Sequence, residues 1–241
     1  MILPLLTVAM EQTKPVAVMI HGAGGGGWEY HYWRPVFEKA GYRVVAPDLM
    51  PAAGGLAKTT FSDYVDQVVR ASGKSPEVLI GASMGGSLVL KAAERCQPRT
   101  LILVCSSIPA HPGRTVPPRD AVFPEVVKWA NGPFKDTVDS MPDSDDETHR
   151  FAHPKWRDES GLVLSEITAG VRVEKPSVPV LVIIPENDDT VRPQDQQALA
   201  QWLGADTHRY AGMSHVGPLF SRSRVEVAEA AVAWIKARRP K

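Results

Sequence analysis

Cysteine is nearly absent: Cys96 and Cys105 are the only two in 241 residues. Two isolated thiols make neither a disulfide framework nor a zinc site. Both read as small core residues. An excess of charge of one sign is also missing, with 27 Lys plus Arg against 27 Asp plus Glu. That balance argues against a nucleic-acid partner bound by phosphate neutralisation and against a polybasic membrane patch. No apolar run reaches the ~18 residues of a membrane span. The opening MILPLLTVAM is apolar but lacks a positive n-region and a cleavage site, and Glu11 follows at once. It reads as an opening strand and not a signal peptide. The expectation is a cytoplasmic protein with no nucleic-acid or membrane partner. The sequence leaves oligomeric state open.

What is present is an ordinary globular composition, 44% apolar and 22% charged. The length suits one domain over residues 1–241, large enough to bury roughly 70% of its unfolded surface. The strongest apolar runs are short and rich in β-branched residues: Val16 to Ile20, Arg43 to Ala46, Val78 to Ile80, Thr100 to Val104 and Val178 to Ile184, with a weaker run from Thr207 to Tyr210. Such runs suit strands buried on both faces. Helical patterns lie between them: Tyr30 to Ala40, Thr60 to Ala71, Met84 to Cys96, Gln194 to Leu203 and Arg222 to Ala237. Alternating strand and helix predicts an α/β fold with a mostly parallel sheet. One stretch breaks the alternation. Residues 107–175 hold no convincing strand, several prolines, scattered aromatics and the acidic run Asp143, Asp145, Asp146, Glu147. A long insertion of this kind is usually functional, so a small, largely helical cap is expected there.

Gly81-Ala82-Ser83-Met84-Gly85, followed by Gly86, is the sharpest motif. A bare Gly-x-Ser-x-Gly is weak, but here a strand runs into it and an apolar helix runs out. A serine on that turn sits on strained backbone with its hydroxyl clear of the sheet. The hydroxyl needs a base to become a nucleophile. His215, in Gly212-Met213-Ser214-His215-Val216-Gly217, follows the last expected strand and is the candidate. His21 ends a strand and more naturally orients the loop after it. The base needs a carboxylate to fix its tautomer. Pro185-Glu186-Asn187-Asp188-Asp189 follows a buried strand, with Asp188 the choice and Asp189 the competitor. An oxyanion hole fits His21-Gly22-Ala23-Gly24-Gly25-Gly26-Gly27-Trp28, where the Ala23 and Met84 N–H groups are the candidate donors. The same loop spells Gly22-x-Gly24-x-x-Gly27 with Asp48 ending the next strand. That pattern also fits a dinucleotide-dependent oxidoreductase, but it leaves the serine turn, Asp188 and His215 unused. His149 and His153 lie four apart and read as surface histidines of the cap, so no metal is expected. The acidic run reads as a solvated turn or helix start.

With these residues placed, the chain resembles the α/β-hydrolase superfamily over nearly its whole length. The order Ser83, Asp188, His215 is that family's order. HGAGGGGWEYHYW followed by GYRVVAPDL is similar to the branch of small serine esterases and hydroxynitrile lyases, and GASMGG to the elbow of carboxylesterases and carbon–carbon bond hydrolases. The resemblance implies Ser83 as nucleophile, His215 as base, Asp188 as orienting acid, Ala23 and Met84 as oxyanion donors, and no cofactor. The expected reaction is cleavage of a small-molecule carboxylic ester through an acyl-enzyme. A thioesterase, a lactonase, a carbon–carbon hydrolase and a slow-hydrolysing ligand sensor remain open on the same fold. Ala23 lacks the hydroxyl that lyases of this branch carry, which disfavours cyanohydrin cleavage. The family's N-terminal hairpin is expected to be shortened. Pocket walls are expected from Trp28, His31, Trp129, Phe134 and Trp156.

Overall fold

The computed structural model describes residues 14–114 and 121–238. The expected opening strand and shortened hairpin fall largely within residues 1–13, outside the described part.

Six strands form one parallel sheet: β1 (Val16–Ile20), β2 (Arg43–Val45), β3 (Val78–Ala82), β4 (Thr100–Val104), β7 (Val180–Pro185) and β8 (Asp206–Tyr210), in the order β2-β1-β3-β4-β7-β8. Every neighbouring pair is parallel, as in Ile80 opposite Ile102 and Leu103 opposite Val182. The sequence predicts this because successive side chains of a strand point to opposite faces. On β4, Ile102 and Val104 join one apolar cluster while Leu101 and Leu103 join the other. β1, β3 and β7 divide in the same way, so no polar face is left over.

Helices cover both faces. α1 (Trp33–Lys39) and α9 (Arg224–Lys236) pack together on one side, where Trp33, Phe37 and Val227 are buried. α2 (Phe61–Ser72), α3 (Met84–Ala92) and α7 (Pro193–Leu203) cover the other. Thr60 starts α2 with a capping box: its side chain accepts from Asp63 N, and Asp63 accepts in return from Thr60 N. That reciprocity satisfies two otherwise orphaned donors. A short helix, α8 (Gly217–Phe220), precedes α9.

The excursion between β4 and β7 carries α4 (Phe134–Ser140), α5 (Asp146–Ala152) and α6 (Gly161–Ala169). The expectation of no strand there is corrected by a two-stranded antiparallel ribbon, β5 (Val126–Val127) with β6 (Glu159–Ser160). Each strand is only two residues long. A pair so short has no room for the alternation that marks a strand in sequence. No helix among the described residues is long and apolar enough to cross a membrane.

Candidate active site

The parallel sheet delivers its loops to one edge, beyond the carboxyl ends of the strands, which is where α/β sheets build sites. Ser83 stands there between β3 and α3 with φ 50° and ψ −118°. This left-handed backbone is costly for a residue with a Cβ, and its surroundings hold it. Ser83 N donates to Val104 O at 2.9 Å, and Ser83 O accepts from Gly86 N and Ser107 N, both at 2.9 Å. Gly85 permits the close approach of α3 to β1: a Cβ there would lie 2.3 Å from Ile20 O.

His215 reaches the same point from the loop after β8. Its Nε2 lies 2.9 Å from Ser83 Oγ, and its Nδ1 lies 2.9 and 3.0 Å from the two Asp188 oxygens. A carboxylate only accepts, so Nδ1 carries the hydrogen and Nε2 accepts from the serine hydroxyl. The loops are stitched together by Asn187 N donating to Met213 O at 2.9 Å. Asp188 is buried, and its oxygens accept from Thr190 N, Val191 N and Gln196 Nε2 at 2.8–3.0 Å. Asp189 is exposed and, among the described residues, accepts only locally, from the Thr190 hydroxyl. Of the two neighbours, Asp188 is the one within hydrogen-bonding distance of His215. An imidazole held in this way can take a hydroxyl proton at Nε2 while the carboxylate stabilises the imidazolium.

The glycine-rich loop lies beside the elbow, with Gly22 Cα facing Ser83 Cβ. His21 Nδ1 donates to Gly22 O at 2.7 Å, and its Nε2 accepts from Leu49 N at 2.9 Å. It thus orients the loop backbone, as its position in the sequence suggests. Burial pushes its pKa down to about 4, so it is neutral near pH 7. Glu29 is buried against the same loop and accepts from Gly22 N at 2.9 Å; burial pushes its carboxyl up to about 8. Neither the Ala23 nor the Met84 N–H finds an acceptor among the described residues. Asp48 accepts from Gly27 N at 2.7 Å, a use within the chain for the acid of the dinucleotide pattern.

The expected pocket residues separate. Trp28 and Trp156 meet edge to face with centroids 5.1 Å apart, joined by Phe151 and Phe220 around Trp28. Trp129 lies against Gly24, at the mouth of the loop. His31 lies against Phe151 with the rings tilted by 33° and opens onto a surface groove of about 670 Å³ between α1 and α9. Phe134 is exposed and packs edge-on to His149 and His153. The reading of His149 as a surface histidine is corrected: it is buried, with Nε2 donating to Met141 O at 2.9 Å. Among the described residues no cluster of His, Cys, Asp and Glu could hold a metal. Asp145 does start a helix, accepting from Thr148 N at 2.8 Å.

Several residues escape sequence reasoning. Asp143, one of the acidic run, accepts from Ser214 N and Oγ and so braces the His215 loop. Gln196, Arg157 and Glu159 come from segments with no motif. Nothing in their local sequence distinguishes them from surface polar residues.

Comparison with known proteins agrees with this architecture. Tomato methylketone synthase I superposes with a TM-score of 0.71 over 94% of this chain and 100% of that one, at 19% identity. Salicylic acid-binding protein 2 of Nicotiana tabacum is 33% identical over 86 residues, which is 32% of this chain and 33% of that protein. A carbendazim hydrolyzing esterase of a Nocardioides species is 30% identical over 104 residues, 39% of this chain and 43% of that protein. The chain thus spans between a third and less than half of the length of these curated relatives. The model of the alpha/beta hydrolase family matches residues 17–230, from β1 into α9. That span contains the sheet, the serine turn and the histidine loop, and the chain accordingly belongs to the alpha/beta hydrolase family.

Proposed function

We propose that this protein is a serine hydrolase that cleaves a small-molecule carboxylic ester through an acyl-enzyme. The observation that carries the reading is the unbroken hydrogen-bond chain from Ser83 Oγ through His215 to Asp188. His215 Nε2 takes the serine proton as Oγ attacks the ester carbonyl. The oxyanion receives the N–H groups of Ala23 and Met84, the latter at the N-terminal end of α3, whose dipole favours negative charge there. The imidazolium gives its proton to the leaving alcohol. Water then attacks the acyl-serine with His215 as base once more, and Ser83 regains its hydrogen as the acid departs. Every proton is handled by His215. The esterase among the relatives supports the substrate class. The segment after β4 is the cap in this reading, with Trp129 over the loop and Trp28 and Trp156 behind it. Ala23 offers no hydroxyl beside the reacting carbon, which favours acyl transfer over cyanohydrin cleavage.

The test is release of p-nitrophenol from short-chain p-nitrophenyl esters by the parent, Ser83→Ala and His215→Ala. Loss of turnover in both variants is expected, together with fluorophosphonate labelling of the parent only. Turnover that survives in Ser83→Ala overturns the assignment.

A further inference from the structure

Four successive peptide groups of the glycine-rich loop are each held by a side chain or backbone N–H that the catalytic constellation does not use. The group between residues 21 and 22 is held at Gly22 N by Glu29. The group that carries the Ala23 N–H is held through its carbonyl, Gly22 O, by His21 Nδ1 at 2.7 Å. The next is held at Gly24 N by Glu159 Oε2 at 3.0 Å. The fourth is held at Gly24 O by Arg157 N at 2.7 Å, and Arg157 Nε donates to Gly25 O at 2.6 Å. A peptide group is planar, so bonds to four consecutive planes restrain the direction of Ala23 N–H, the one N–H of the four with no acceptor among the described residues. The packing is close: a Cβ on Gly25 would fall 1.7 Å from Glu29 Oε1.

Two of these holders, Arg157 and Glu159, belong to the excursion between β4 and β7. Glu159 is buried and fully engaged. Its Oε1 accepts from Tyr64 Oη of α2 at 2.8 Å and from Ser160 N at 2.7 Å, leaving Oε2 for Gly24 N. Arg157 Nη2 also donates to His21 Nε2 at 3.2 Å, so it steadies the ring that orients Gly22 O.

We infer that Glu159 and Arg157 are positioning residues through which seating of the cap segment aims the Ala23 N–H, so that the oxyanion hole is complete only when this segment is docked. The inference rests on the reading of Ser83 and Ala23 given above. Glu159 must be an acceptor at both oxygens. Glutamine there serves Tyr64 and Ser160 with its oxygen but turns an NH2 toward Gly24 N, donor against donor. The loop then loses one of its four anchors while the Ser83–His215–Asp188 chain is untouched.

The test is steady-state ester hydrolysis by the parent, Glu159→Gln, Arg157→Lys and Ser83→Ala, with inhibition by a trifluoromethyl ketone that forms an oxyanion on Ser83. Loss of a whole oxyanion donor costs about 10²–10³ in kcat. A misaimed donor is expected to cost about tenfold or more in kcat, with KM changed less than about threefold and ketone affinity falling in step with kcat. The shape of the pH–kcat profile stays that of the parent, because the hydrogen bonds linking Ser83, His215 and Asp188 are untouched. A folded Glu159→Gln enzyme with kcat and ketone affinity within about twofold of the parent overturns the inference, whatever its melting temperature. If Glu159→Gln does not fold, Arg157→Lys is judged by the same criterion. Turnover surviving in Ser83→Ala refutes the hydrolase reading instead. A dead Ser83→Ala beside an unaffected Glu159→Gln removes this inference alone.

Discussion

Replacing Glu29 by glutamine should make the protein more stable above neutral pH, not less. Glu29 is 5% exposed, and its carboxyl is pushed up to about 8 chiefly by burial; the Glu159 charge adds to the rise, while Gly22 N and Arg157 oppose it. The unfolded chain releases that proton near 4.5, the ordinary value. Between those two pH values the native state binds one more proton than the unfolded state, so stability falls as pH rises. The slope is about 1.4 kcal/mol per pH unit for one proton. His21 works in the opposite direction. Its pKa is lowered to about 4 by burial, so the unfolded state binds the extra proton from about 4 to 6.5, and stability rises with pH there. The two slopes offset each other up to pH 6.5. From there to about pH 8 Glu29 acts alone, and roughly 2 kcal/mol should be lost. Asp145, held at about 2 chiefly by the Thr148 hydroxyl, has its window below pH 4, and the raised Tyr30, Tyr64 and Tyr210 titrate above pH 10. Glutamine mimics the protonated carboxyl, and its oxygen still accepts from Gly22 N. Urea unfolding at pH 6.5, 7.25 and 8 checks this. The parent should lose stability across the series while Glu29→Gln stays level and ends about 2 kcal/mol above it. Parallel curves for the two proteins would falsify the assignment of this limb to Glu29.

Four other outcomes are expected. Asp188→Asn should lower kcat by about 10³–10⁴ with little change in KM, since the amide favours the wrong imidazole tautomer; a loss under tenfold in ester assays would contradict that role. Gln196→Ala leaves Asp188 Oδ2 one donor short, and a drop in kcat smaller than that of Asp188→Asn should show in the same assay. Ile102→Ala opens a cavity on a central strand and should cost about 2–5 kcal/mol in urea unfolding. Asp145→Ala removes the start of α5 and should cost about 1 kcal/mol in the same measurement; an unchanged midpoint would mean the cap contributes nothing.

The sheet was legible because its strands are buried on both faces and read as unbroken apolar runs. Val16–Ile20 and Thr100–Val104 begin and end where the runs do. Helix ends were less legible: the pattern beginning at Tyr30 opens on the last residue of a 3-10 turn, Gly27–Tyr30, and α1 begins only at Trp33. The elbow and histidine loop were legible as candidates because strained turns and reactive side chains demand particular residues at particular places. Glu159 and Arg157 were not, because they act on backbone 132–135 residues away, and a hydrogen bond to a peptide leaves no pattern near the donor or acceptor. The burial of His149 was not legible because its partner is a main-chain carbonyl, which any sequence supplies.

The strand order has a temporal consequence. β4 and β7 are neighbours in the sheet, yet residues 105–179 separate them along the chain. Joining them requires closure of a long loop, an entropic charge that grows slowly with length but slows the search. A chain emerging from the ribosome can pair β1, β2, β3 and β4 early, with Ser83 already on its turn. Asp188 and His215 arrive only with the last quarter of the molecule. Ser83 is therefore in place before His215 and Asp188 can reach it, and under the proposed function a half-made chain carries a serine with no base to activate it.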